Sequence, residues 1–60
     1  MNRIKEVLEK KGIKQKWLAE KLGKSFNSVN SYVQNRQQPR LEVLKEIANI
    51  LQVNIKDLID

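Results

Sequence analysis

Apolar residues recur three and four positions apart from one end of this chain to the other, and that spacing restricts the fold more than any other feature. Ile4, Val7 and Leu8 form one such set, Leu18, Ala19 and Leu22 a second, and Val29, Tyr32 and Val33 a third. Leu41, Leu44, Ile47, Ala48 and Leu51 form the longest, and Ile55, Leu58 and Ile59 close the chain. Each set lies on one face of an α-helix, which then has a side to bury. No segment alternates apolar and polar with period two, so no sheet is expected.

The residues between the sets are stops and starts. Gly12 and Gly23 sit just past the first two, where a left-handed residue ends a helix at no steric cost. Asn35 holds the equivalent place after the third. Ser25 is suited to accept from the amides that open the next helix. Pro39 marks the break before the longest set, and Asn54 with Asp57 has the spacing of a capping box. The pattern predicts helices over about 2–11, 15–22, 26–34, 41–51 and 55–59: an all-α, compact five-helix bundle making one domain over residues 1–60. Lys14 and Arg40 stand where Ser or Thr would cap better, at a cost of a few tenths to about 1 kcal/mol each. A cation beside a helix N-terminus is unfavourable as well. Both side chains are therefore expected to serve another purpose.

Sixty residues bury only about 60% of their unfolded surface, so the core is small. With no Cys and no His, neither a disulfide nor the commonest metal ligand and general base is available. Association with a second copy is the remaining supplement, and a homodimer is expected. No metal, cofactor or small-molecule ligand is expected in a core this size. Ser25, Ser28 and Ser31 have no His to activate them, Asp57 and Asp60 have no second carboxylate pair, and no glycine-rich phosphate loop occurs, so the chain does not read as an enzyme. No run approaches 18 apolar residues and no signal-peptide pattern opens the chain, so the expected location is the cytoplasm, away from membranes.

Charge is distributed unevenly. Residues 1–40 carry ten cations against three anions, a balance of +7; residues 41–60 carry two cations against four anions, a balance of −2. A basic part beside an acidic part suggests a polyanionic partner on one side. Within the basic part, the eleven residues "SFNSVNSYVQN" (25–35) hold no charge, while Lys24 precedes them and Arg36 follows. Only "GKS" separates the second and third helices, so they must cross steeply, and close approach of their backbones requires a small residue. Ala19, four positions before Gly23, supplies it. This is the pattern of a helix-turn-helix.

The segment "QKWLAEKLGKSFNSVNSYVQNRQQPRLEVLKEIANILQVNIKDLI" resembles the Cro and lambda-repressor-like helix-turn-helix family. The resemblance runs from Ile4 to Ile59. It rests on Gln15 opening helix 2, Leu18 to Gly23 (Leu-Ala-Glu-Lys-Leu-Gly), Ser25 before helix 3, Pro39 before helix 4, and the Leu41, Glu42, Leu44 segment. Departures are Lys24 at a usually apolar place, Val33 in place of a common Glu, and Gln52 where Gly often ends helix 4. The resemblance implies a double-stranded DNA partner, with the N-terminal part of helix 3 in the major groove.

On a helical wheel, Val29, Tyr32 and Val33 point inward while Asn27, Asn30, Ser31 and Gln34 point out. Amides and hydroxyls suit base edges, since an Asn amide donates and accepts at once and so matches adenine N6 and N7. Phe26, Asn27, Asn30 and Ser31 are the base-reading candidates. Phe26 has two readings, packing at the core margin or touching a thymine methyl. Gln15, placed on the DNA backbone by the resemblance, heads the phosphate-contacting candidates. Lys14, Lys16, Lys24, Ser28, Asn35, Arg36, Gln37 and Arg40 complete them, although "NRQQPR" also reads as a solvated loop. Trp17 reads as a ring laid over a neighbouring helix rather than a DNA contact. Val43, Ile50, Ile55, Leu58 and Ile59 are candidates for a dimer patch, with packing against helix 1 as the alternative. A second function class, a protein-interaction module of the antitoxin or adaptor type, would use that apolar patch more than the flanking cations.

Overall fold

Four α-helices and a closing 3-10 turn follow one another along the chain. The computed structural model of the protein describes residues 1–60, with α1 at Ile4–Lys11, α2 at Gln15–Leu22, α3 at Phe26–Val33, α4 at Leu41–Leu51 and the 3-10 turn at Ile55–Leu58. The expected fifth helix is thus a single tight turn. Four residues are too few to repay an α-helical nucleus, and the bonds here span three residues, with the Asp57 N–H donating to Asn54 O at 2.9 Å. The Asp57 carboxylate in turn accepts from the Asn54 backbone N–H at 3.1 Å.

The stops operate as their residue types dictate. Gly12 and Gly23 both adopt φ 67°, and Gly23 sends its N–H back into the last turn of α2. Asn35 (φ 60°) and Gln52 (φ 56°) take the same left-handed conformation without glycine's freedom. Gln52 therefore does end α4 where the resemblance would place Gly. At the other end of α3, Ser25 Oγ accepts the Ser28 N–H at 3.1 Å, a cap satisfying one of the free amides of the first turn.

The apolar sets converge on one core. Ile4, Leu18, Val29, Ile47 and Leu58 are its fully buried side chains. Packing is most extensive between α2 and α3, where Ala19 is buried. α4 packs on α2 from one side and on the 3-10 turn from the other, and α1 packs on α3 and on that turn. Leu41 departs from its set: as the first residue of α4 it projects beyond the bundle and is 59% exposed.

The N-terminus differs from expectation. Residues 2 and 3 lie outside α1, and Asn2 forms an isolated antiparallel bridge with Ile59 where no extended pairing was expected. The Arg3 N–H donates to Leu58 O at 2.8 Å. Asn2 is the single buried polar residue, and every buried side-chain polar atom has a hydrogen-bond partner. No helix is long and apolar enough to cross a membrane.

Candidate nucleic-acid interface

α3 owes its orientation to the turn before it. Gly23 reverses the chain, Lys24 donates its N–H to Ala19 O at 3.1 Å, and Ser25 caps the new helix, so three residues suffice to swing α3 across α2. Val29, Tyr32 and Val33 are buried on the inner face of α3. The opposite edge remains available. Phe26 is 51% exposed, which leaves half of its ring outside the core margin, and Asn27 and Gln34 are exposed. Asn30 and Ser31 are half-buried beside them.

These side chains differ in what they offer. Ser31 Oγ donates to Asn27 O at 3.1 Å, which spends its proton inside the helix and leaves the oxygen able only to accept. Gln15 Nε2 donates to Asn30 Oδ1 at 3.1 Å, joining the first residue of α2 to the middle of α3. The bond fixes the Asn30 amide with its NH₂ group still free to donate, and it leaves Gln15 Oε1 free to accept. Ser28 is half-buried, and its hydroxyl accepts from Ser25 Oγ at 3.0 Å, so it belongs to the helix cap as much as to the outer edge.

Around this uncharged edge the cations are unpaired. The one ion pair of the molecule joins Arg3 to Asp60, both about half exposed, and so links the two ends of the sequence. Lys14, Lys16, Lys24, Arg36 and Arg40 are exposed without a carboxylate partner. Lys14 and Arg40 are the residues preceding α2 and α4, and neither helix start receives a side-chain cap. Each therefore presents free backbone N–H groups next to a cation, an arrangement that attracts anionic oxygen. Trp17 lies one turn before Lys21, whose Nζ sits 5.4 Å from the ring centroid; the indole is 40% exposed and engaged with its own helix.

Two assignments are revised. Leu58 is fully buried in the core, so it cannot belong to a surface patch; Ile59 is exposed, while Val43, Ile50 and Ile55 are partly covered. Asn35 does not turn its amide outward. Asn35 Oδ1 accepts from the Asn2 backbone N–H at 2.8 Å and Asn35 Nδ2 donates to Asn2 O at 3.2 Å, while Arg36, Gln37, Gln38 and Arg40 of that loop remain exposed. Asn2 and Gln38 were not apparent from sequence. Position 2 reads only as the start of the first helix, and Gln38 lies within a stretch of amides that reads as loop.

The sequence profile of the helix-turn-helix family HTH_3, the Cro/C1 type, matches residues 4–58. Among solved structures, the crystal structure of a candidate DNA-binding protein from Bacteroides fragilis superposes with a TM-score of 0.94 at 41% identity, covering 97% of this chain and 94% of that one. No curated protein matches the chain. The profile spans both helices of the motif and all of the core that supports them, and the chain belongs to the Cro/C1-type helix-turn-helix family.

Proposed function

We propose that the protein is a sequence-specific regulator of transcription that binds double-stranded DNA as a homodimer, each subunit reading one half-site with α3 in the major groove. The observation that carries this reading is the uncharged outer edge of α3 set among unpaired cations. Asn27 and Asn30 supply donor and acceptor groups that distinguish bases, with Ser31 as an acceptor and Phe26 as an apolar surface for a thymine methyl. Lys14, Lys16, Lys24, Arg36, Gln37 and Arg40, with Gln15 and the free amides of α2, meet phosphates and set the register. Membership of the family and the resemblance to a candidate DNA-binding protein support the same partner.

Two subunits related by a two-fold axis would place their α3 helices about 34 Å apart, one turn of B-DNA. Ile59, with the partly covered Ile55, Val43 and Ile50, is the surface offered for that association. Selection from a pool of random duplexes tests the reading: an enriched near-palindromic site is expected, and recovery of no preferred sequence would sink it in favour of a protein-interaction module. Sedimentation of the free protein tests the homodimer, which a monomer at high concentration would eliminate.

A further inference from the structure

Three amide side chains form a closed cluster at the exit of α3. Asn2 Nδ2 donates to Tyr32 O at 2.9 Å and to Gln38 Oε1 at 3.0 Å, and Asn2 Oδ1 accepts the Ile4 N–H at 3.0 Å. Gln38 Nε2 donates to Asn35 Oδ1 at 3.0 Å, and the Asn35 amide makes two further bonds, one to the N–H and one to the carbonyl of Asn2. Every polar atom of the three amides that faces the cluster is therefore matched donor to acceptor. Turning any one of them over would set NH₂ against NH or oxygen against oxygen in more than one place.

The cluster holds a particular piece of chain. Asn35 and Gln38 bracket Arg36 and Gln37, so both ends of this two-residue span are tied to the buried Asn2. Within the span, the Arg36 and Gln37 N–H groups both donate to Ser31 O, at 2.9 and 3.2 Å. Asn2 also receives the last turn of α3 through Tyr32 O. The left-handed backbone at Asn35 does not by itself explain an asparagine here, because glycine adopts that conformation more readily. What glycine lacks is the amide that reaches Asn2.

We propose that Asn2 is a positioning residue for DNA binding: through Asn35 and Gln38 it fixes the loop that presents Arg36 and Gln37 to the phosphate backbone, in register with the outer edge of α3. The proposal rests on the DNA-binding reading above. It makes the cluster a means of ordering the loop before contact, so that less freedom is lost when phosphates are met.

The test is a double-mutant cycle on the full chain, titrated with a mixed-sequence 20-base-pair duplex at several salt concentrations and at a temperature where circular dichroism shows every variant folded. Asn2→Ala is expected to weaken binding about tenfold and to lower the slope of log affinity against log salt by about one phosphate, as loss of one backbone contact does. Arg36→Ala should do the same, and the two together should cost no more than either alone. Gln38→Ala, at an exposed position, serves if Asn2→Ala does not fold. Additive losses, or a normal salt slope in Asn2→Ala and Gln38→Ala, would overturn the positioning role while leaving DNA binding intact. A wild-type chain that ignores duplex DNA would remove both, and an Arg36→Ala variant that binds normally would show that the loop does not meet the backbone.

Discussion

Single residues on this molecule divide between those left exposed and those held for the fold, and the division does not follow polarity. Asn27, Asn30 and Asn35 are the same residue type within nine positions. Asn27 is exposed, Asn30 is oriented by Gln15, and Asn35 is bound to Asn2. Replacing Asn27 by Ala should relax base choice at one position of the bound site by about 1–3 kcal/mol, measured by competition between duplexes differing at that base pair. The thermal midpoint should change little, because an exposed side chain is removed. Gln52 poses the opposite case, a side chain forced into a left-handed backbone at φ 56° to end α4. Gln52→Gly should stabilise the domain by about 0.5–1 kcal/mol and raise its melting temperature by several degrees, as differential scanning calorimetry would record.

At the scale of elements, the crossing of α2 and α3 carries the architecture. Both helices have eight residues, too few to persist alone in water, so each depends on the other for its apolar face. Ala19, the small residue expected where their backbones approach, is 3% exposed. Ala19→Leu should force them apart at a cost of about 1–3 kcal/mol, seen as a lower urea midpoint with an unchanged slope. The frame of the four helices was legible in the sequence because it is written locally: spacing of three and four, a glycine or Asn at three helix ends, Ser25 at a start. The 3-10 turn was misread because Ile55, Leu58 and Ile59 satisfy helical spacing equally well over a segment too short to nucleate. Leu58 was misassigned for a related reason, since spacing tells which residues share a face but not whether that face looks inward.

For the molecule as a whole, charge is the property that a partner meets first. A net charge of +5 on a body of 24 × 22 × 18 Å, with a single surface ion pair, leaves most cations available to polyanions. If each subunit meets four to six phosphates, log affinity for duplex DNA should fall against log salt with a slope of about −4 to −5 per subunit, measured by fluorescence anisotropy. Asn2 stands for what sequence could not disclose at this scale. Its side-chain partners beyond its own turn lie 30 to 36 positions away, and its burial exists only once the ends of the chain have come together.

That meeting of the ends has a topological consequence. With Asn2 bridged to Ile59 and Arg3 bonded to Leu58, the chain is nearly a closed ring in space. A short linker from residue 60 to residue 1, with a new opening between Ile13 and Lys14, would keep every core side chain in place. The same proximity would let the domain sit as an insertion within a loop of a larger host, entering and leaving through one narrow doorway.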